Sequence, residues 1–250
     1  SFYSVTHFPY SAPWPYYNRY TRRSYAGPFK YLKNRVIELN DSAEKKGGNG
    51  DENISRGDIE QVRALYDGCL SAFDDSVGEI TDYLRDQGIL ENTIVIILSD
   101  HGENLYEHDL GMGHGEHLRG RLSLNIPLVI SWKGLPEGLD VKQYRSSIDI
   151  APTILEMAGL HIPPEFHGRS LFSEAGPDPV YIETGLWFDT GGDYFFQKKR
   201  LFYPNITGLS YIETDFRNEI ILNRSFENFT WTAKHRAIID GDYKLIYMPT

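Results

Sequence analysis

Between positions 58 and 87 apolar residues step by three and four. Ile59, Val62, Tyr66, Cys69, Phe73, Val77, Ile80 and Leu84 fall on one stripe, the period of an amphipathic helix. The spacing predicts a helix from about Asp58, a plausible cap, to Gln87, with Gly88 as its stop. A different pattern follows at Thr93–Leu98. Five consecutive apolar residues, Ile94 to Leu98, are too short a run for a helix and rich in β-branched side chains. That is how a strand buried on both faces in a parallel sheet reads, and we expect it to be central, with the helix 58–87 covering one face. Pro127–Ser131 predicts a second buried strand, Asp149–Met157 a short helix ended by Gly159, and Val180–Glu183 a third strand. Arg236–Tyr247 reads as a hairpin turning at Asp240-Gly241. Phe2–Thr6 is expected to form a strand ending at His7.

The connecting segments are equally readable. Pro9, Pro13 and Pro15 preclude regular structure in an aromatic stretch from Phe8 to Tyr17. Residues 42–57 form a polar linker, and from Trp187 to Trp231 the pattern weakens as aromatics crowd in. The expected organisation is an α/β core over 1–186, with 187–250 adding a peripheral insertion and the C-terminal strands of the same domain. Most of Trp14, Tyr16, Tyr17, Trp187 and Phe188 are expected in the core, with a sugar or aryl platform as the other use.

Composition narrows the function. The net charge of −10 gives no footprint for nucleic acid, and no apolar run approaches the ~18 residues of a membrane span. A single cysteine, Cys69, excludes an internal disulfide and sits on the apolar face of the predicted helix, as a free core cysteine does. The chain opens and closes in strand-like patterns, so we expect it to be the middle and later part of a longer protein.

The candidate chemistry begins where the 94–98 run ends. Asp100 and His101 follow it directly, and in open α/β sheets ligands sit beyond the carboxyl ends of strands. A carboxylate beside an imidazole suits a divalent metal there, and Gly102 lets the chain turn away. The same Ser-Asp pair also reads as an ordinary turn and helix cap. His108, His114 and His117 follow closely among Glu103, Glu107, Asp109 and Glu116, on a backbone containing Gly102, Gly111, Gly113 and Gly115. Core packing does not call for such a loop; a polar site does. His114, between two glycines, is either catalytic or a plain loop residue, and His117 is its nearest competitor. His7 either caps a strand or belongs to the site. His161 and His167 read as structural, His108 and His235 as solvated.

Taken in order, these segments resemble the sulfatase family of the alkaline phosphatase superfamily. The resemblance rests on His7-Phe-Pro-Tyr-Ser-Ala-Pro13, Leu90 through Ser99-Asp-His-Gly102, Gly113-His-Gly115 with Asn125-Ile-Pro-Leu-Val-Ile130, Ser147 through Gly159 with Gly168-Arg-Ser-Leu171, and Arg236-Ala-Ile-Ile with Tyr243-Lys-Leu-Ile246. It implies an α/β fold, a three-layer sandwich with a mixed, largely parallel sheet. It implies Asp100 and His101 as ligands of a divalent metal, usually Ca²⁺ in that family, with Mg²⁺ or Mn²⁺ as other occupants. It implies His7 and His114 as catalytic groups that contact the ester, protonate the leaving oxygen or grip sulfate oxygens. The substrate implied is a sulfated small molecule or glycan. One departure matters. The family's nucleophile lies in Cys/Ser-x-Pro-x-Arg and becomes formylglycine. Here Cys69 is followed by Leu-Ser-Ala-Phe, and Ser11-Ala-Pro13 lacks the Arg. We therefore expect the nucleophile and the paired acidic metal ligands upstream of Ser1, and this chain alone to be inactive. A phosphodiester or phosphonate hydrolase, or a phosphoglycerol-type transferase, on the same fold is the alternative. A non-catalytic, fold-only protein is the third reading.

Overall fold

The computed structural model describes residues 3–30, 54–107, 112–114, 118, 120–173, 179–184, 210–215, 217–228, 231 and 234–247. Its principal elements are helix α1 (Arg56–Asp86), strands β1 (Val95–Leu98), β2 (Asn104–Leu105), β3 (Met112–Gly113) and β4 (Leu128–Ser131), helix α2 (Ile150–Met157), and strands β5 (Val180–Glu183), β6 (Ser210–Glu213), β7 (Glu219–Leu222), β8 (Arg236–Asp240) and β9 (Tyr243–Tyr247). The linker expected over 42–57 lies outside the described residues except for its last four positions, as do Trp187, Phe188, His108 and His117.

α1 begins two residues before the expected start at Asp58. Ser55, not Asp58, is the cap: its hydroxyl accepts from Asp58 N at 3.2 Å, and Asp58 Oδ2 accepts from Ser55 N at 2.9 Å. This is the reciprocal capping box, which satisfies two orphan amides at once. Tyr25 reinforces it by donating its hydroxyl to Asp58 Oδ1 at 2.5 Å, while accepting from Phe29 N at 3.1 Å. Burial of Asp58 opposes its ionisation, but the hydrogen bonds from Tyr25 and Ser55 outweigh it and hold the carboxyl below the usual range. Gly88, with φ of +68°, ends the helix in the left-handed conformation that glycine adopts without strain.

The expected strand at the N-terminus does not form. Val5–Thr6 is a turn closed by His7 N donating to Ser4 O at 3.0 Å. The apolar residues there pack on α1 instead of pairing: Tyr3 meets Phe73 edge-on at 5.7 Å, and Val5 and Phe8 lie against the core. That core is Tyr10, Ala12 and Phe29 from the N-terminal loop with Val62, Leu65 and Cys69 from α1. The face of α1 expected to cover the central strand is thus covered mainly by the proline-rich loop. Its close approach is enforced at Gly68, where a Cβ would meet Tyr16 O at 2.5 Å. Burial pushes the Cys69 thiol up to about 11. Trp14, expected in the core, is 80% exposed, and Tyr17 is exposed as well.

The strands also depart from expectation. Every pair among the described residues is antiparallel. β1 pairs β4 from Val95↔Ser131 to Leu98↔Leu128 in a two-stranded sheet. It is half-exposed, not buried and central. An apolar run reports that both faces want cover; it carries no record of strand direction or of how many partners lie alongside. β5, β8 and β9 form a three-stranded sheet in that order, with the β8–β9 hairpin turning at Gly241 (φ +53°) as expected. β6 and β7 form a hairpin inside the segment where the pattern had weakened. His235, expected to be solvated, is 6% exposed, and desolvation lowers its pKa.

Candidate active site

The chain leaves β1 at Leu98 and bends through Ser99, Asp100 and His101. Gly102 then fits under the turn at 121–125: its N donates to Ser123 O at 3.0 Å, and a Cβ there would lie 1.7 Å from Leu122 O. Only a residue without a side chain passes so close, and its passage fixes the direction of His101.

The next residues form the β2–β3 hairpin, in register Asn104↔Gly113 and Leu105↔Met112. One rung beyond, Glu103 stands opposite His114. Their side chains meet accordingly: His114 Nδ1 lies 3.1 Å and 3.3 Å from the two Glu103 oxygens. Glu103 is 8% exposed in its side chain, and Tyr10 lies beside it. Burial, with the Glu103 charge adding to it, raises the Tyr10 pKa and keeps the phenol protonated. Arg63 of α1 ties the hairpin to the helix. Its Nε donates to Leu105 O at 3.2 Å, its NH2 pairs with Glu107 Oε1 at 3.0 Å, and Glu107 Oε2 accepts from Leu105 N at 2.6 Å.

Three of the four sequence-predicted residues converge. The His101 and His114 rings stack at 3.7 Å and 22°, and His7 meets His114 at 5.4 Å and 70°. Asp100 adjoins this group with its side chain 74% exposed; its Oδ1 accepts from His101 N at 3.1 Å and lies 3.6 Å from His101 Nε2. Carbonyl and carboxylate oxygens only accept, so they assign the ring protons. His7 Nδ1 donates to Phe8 O at 2.7 Å, His101 Nδ1 to Gly102 O at 2.9 Å, and His114 Nδ1 to Glu103. In the His7 and His101 rings this leaves Nε2 as the atom that carries a lone pair or a second proton, the form needed by a metal ligand or a general acid.

Glu103 and Arg63 were given no role by sequence reasoning. Glu103 appeared there only as one acid among several. Its signal was positional, directly after Asp-His-Gly, but its partner depends on the register of a hairpin. For a metal ion, Asp100 and His101 supply two donors of suitable chemistry. Among the described residues no group of three or more His, Cys, Asp or Glu side chains is placed to hold one.

The sulfatase family model matches residues 1–160. The chain belongs to the sulfatase family. It is 31% identical over 206 residues to the multifunctional alkaline phosphatase superfamily protein PehA of Trinickia caryophylli, covering 73% of this chain and 38% of that one. It is 37% identical over 117 residues to arylsulfatase K of Bos taurus, covering 46% of this chain and 21% of that one. In three dimensions it is similar to the phosphonate monoester hydrolase of Agrobacterium radiobacter, with a TM-score of 0.62 and 22% identity over 97% of this chain and 46% of that one. The fold is therefore the α/β fold of the alkaline phosphatase superfamily, and this sulfatase-family chain spans less than half the length of these relatives. No described helix is long and apolar enough to cross a membrane.

Proposed function

We propose that the intact protein hydrolyses sulfate esters and that this chain supplies one side of its active site. The observation that carries the reading is the meeting of His7, His101 and His114, from three separate chain segments, beside Asp100. Family membership supports it. In this reading the intact protein folds as a three-layer sandwich, with residues 1–186 contributing to its core and 187–250 adding a peripheral insertion and the C-terminal strands of the same domain. The nucleophile, a formylglycine in the family, is sought in the part of the relatives' length that this chain does not span.

Each residue has a physical task. Asp100 and His101 are two of the donors to a divalent cation, Ca²⁺ by family resemblance, which when bound offsets the negative charge of the ester oxygens. His101 is held for this by Nδ1 donating to Gly102 O, which leaves Nε2 as the ligating atom. His114 keeps its Nδ1 proton on Glu103 and presents N–H to the sulfuryl oxygens from Nε2 when doubly protonated. His7 holds the proton that passes from Nε2 to the leaving oxygen. Sulfated small molecules or glycans are the substrate class.

The test is hydrolysis of 4-nitrophenyl sulfate by the intact protein. His7→Ala and His114→Ala should each lower kcat by about 10²–10⁴-fold, the usual range for a proton donor or an oxyanion contact. Undiminished turnover in both variants would sink the assignment. The fold shared with the phosphonate monoester hydrolase of Agrobacterium radiobacter supports a second reading: a phosphonate or phosphodiester hydrolase using the same residues. Faster turnover of a phosphonate monoester than of the aryl sulfate would select it.

A further inference from the structure

Glu103 holds His114, but its own carboxylate also has to be held. Its side chain is 8% exposed, and both of its oxygens face one donor, His114 Nδ1, at 3.1 Å and 3.3 Å. An ionised carboxylate offers about four acceptor sites. Taking one out of water is costly until further donors fill them.

Tyr10 carries the complementary deficit. It is 2% exposed, and its hydroxyl is buried without a hydrogen bond of ordinary geometry. A buried O–H in that position calls for an acceptor. The group that bears on it is Glu103: after burial itself, the Glu103 charge and then its acceptor oxygens raise the phenol's pKa. A phenol kept protonated in this way can serve a carboxylate only as a donor. The ring is also fixed in direction. Phe8 meets it edge-on at 6.2 Å and 90°, Tyr66 of α1 at 5.3 Å and 89°, and it packs in the core cluster with Phe29, Val62 and Cys69. His7 leaves the same segment three residues earlier, and its ring meets His114 at 5.4 Å. One short stretch of chain thus reaches His114 twice, directly through His7 and from behind through Tyr10 and Glu103.

We propose that Tyr10 is a positioning residue: its hydroxyl donates to the Glu103 carboxylate and so fixes the orientation in which Glu103 holds the ring of His114. A hydrogen bond to an ionised acceptor is about twice as strong as a neutral one, and each bond in such a chain polarises the next. Without the phenol the carboxylate is free to rotate about its last torsion, and the imidazole bound to it follows. The consequence for turnover rests on the hydrolase reading; the brace itself does not.

The perturbation is Tyr10→Phe, which keeps the ring in the core and removes only its oxygen. Urea midpoints of the 250-residue chain close a double-mutant cycle with Glu103→Met, which removes the acceptor. Tyr10→Phe should lower the midpoint in the parent and leave it unchanged in the Glu103→Met background. Long-range proton–nitrogen NMR at about pH 8.5, above the ordinary range of imidazole, reads the tautomer of each histidine. His114 should move from the Nδ1-protonated form in the parent towards mixed tautomers in Tyr10→Phe, while His101, held by Gly102 O, should not change. In the intact protein Tyr10→Phe should lower kcat by about 10–100-fold, as for other residues that orient a working histidine from behind, with KM changed less. An unchanged or higher midpoint in Tyr10→Phe, equal losses in the two backgrounds, or a His114 tautomer the same in parent and variant would each overturn the proposal. Absence of sulfate ester turnover in the intact protein would sink the hydrolase reading alone, since the cycle and the spectra decide the brace without it.

Discussion

Adding one methyl group at each of two glycines should have opposite effects. At Gly102 a Cβ would stand 1.7 Å from Leu122 O and 2.8 Å from Asn125 O, all backbone. Comfortable contact needs about 3.5 Å, so the turn at 121–125 must retreat by more than about 1.5 Å. That retreat breaks the Gly102 N–Ser123 O hydrogen bond, worth about 0.5–1.5 kcal/mol, and adds an overpacking cost of about 1–3 kcal/mol. Restricting the unfolded chain returns about 0.4–1 kcal/mol. The net for Gly102→Ala is a loss of about 2–3 kcal/mol. Gly78, inside α1, has no atom within 4 Å of its would-be Cβ, so Gly78→Ala should gain about 0.5–1 kcal/mol from helix propensity. Urea titration followed by helical circular dichroism reads both. With a slope of about 1–3 kcal/mol/M, Gly102→Ala should lower the midpoint by about 1 M and Gly78→Ala should raise it. A Gly102→Ala midpoint at or above that of the parent would refute the argument that this passage is sterically closed.

Asp58→Asn should cost about 1–2 kcal/mol at pH 7. Because the folded carboxyl titrates below its ordinary 3.8, the gap should persist above that value and close as pH falls through the folded value, as read by thermal melts from pH 7 to 2. Arg63→Met removes the bridge to Leu105 O and Glu107, so amide exchange at Leu105 should quicken by about tenfold, while unchanged protection would show that the hairpin holds itself. Calcium titration of the 250-residue chain should give no site tighter than about 1 mM, since Ca²⁺ wants six to eight oxygen ligands; micromolar affinity lost in Asp100→Ala would reveal a complete shell.

Local chemistry was legible in the sequence, and long-range partnership was not. The α1 stripe, the stops at Gly88 and Gly159, and the hairpin at Asp240-Gly241 all follow from period, φ and turn preference, and each appears where expected. The cap moved from Asp58 to Ser55 because a capping box is a reciprocal pair, and either member reads as a cap in isolation. β1 and β4 were both found as strands, but their antiparallel pairing was not, since an apolar run is silent about direction. The alternation expected as a strand over Phe2–Thr6 breaks at a turn at Val5–Thr6, and Tyr3 and Val5 pack towards α1 instead of pairing with a neighbouring strand. Among the candidate residues, His7, His101 and His114 were nameable from residue type and order, and the structure brings their rings together. Glu103 was not, because its role exists only once the hairpin register sets it across from His114.

The histidine tautomers carry a consequence for how such a site diversifies. His7 is pinned by the carbonyl of residue 8, and His101 by the carbonyl of residue 102. Each proton address is written in the residue that follows the ring, and depends on no distant side chain. Insertions, loop exchanges and changes of surface charge elsewhere can therefore reshape what the protein admits without rewriting which nitrogen does the work. His114 is the exception, since its address is kept by Glu103, eleven positions away across a hairpin. Lineages that alter the length of that hairpin must re-solve the orientation of one histidine, while the other two are inherited unchanged.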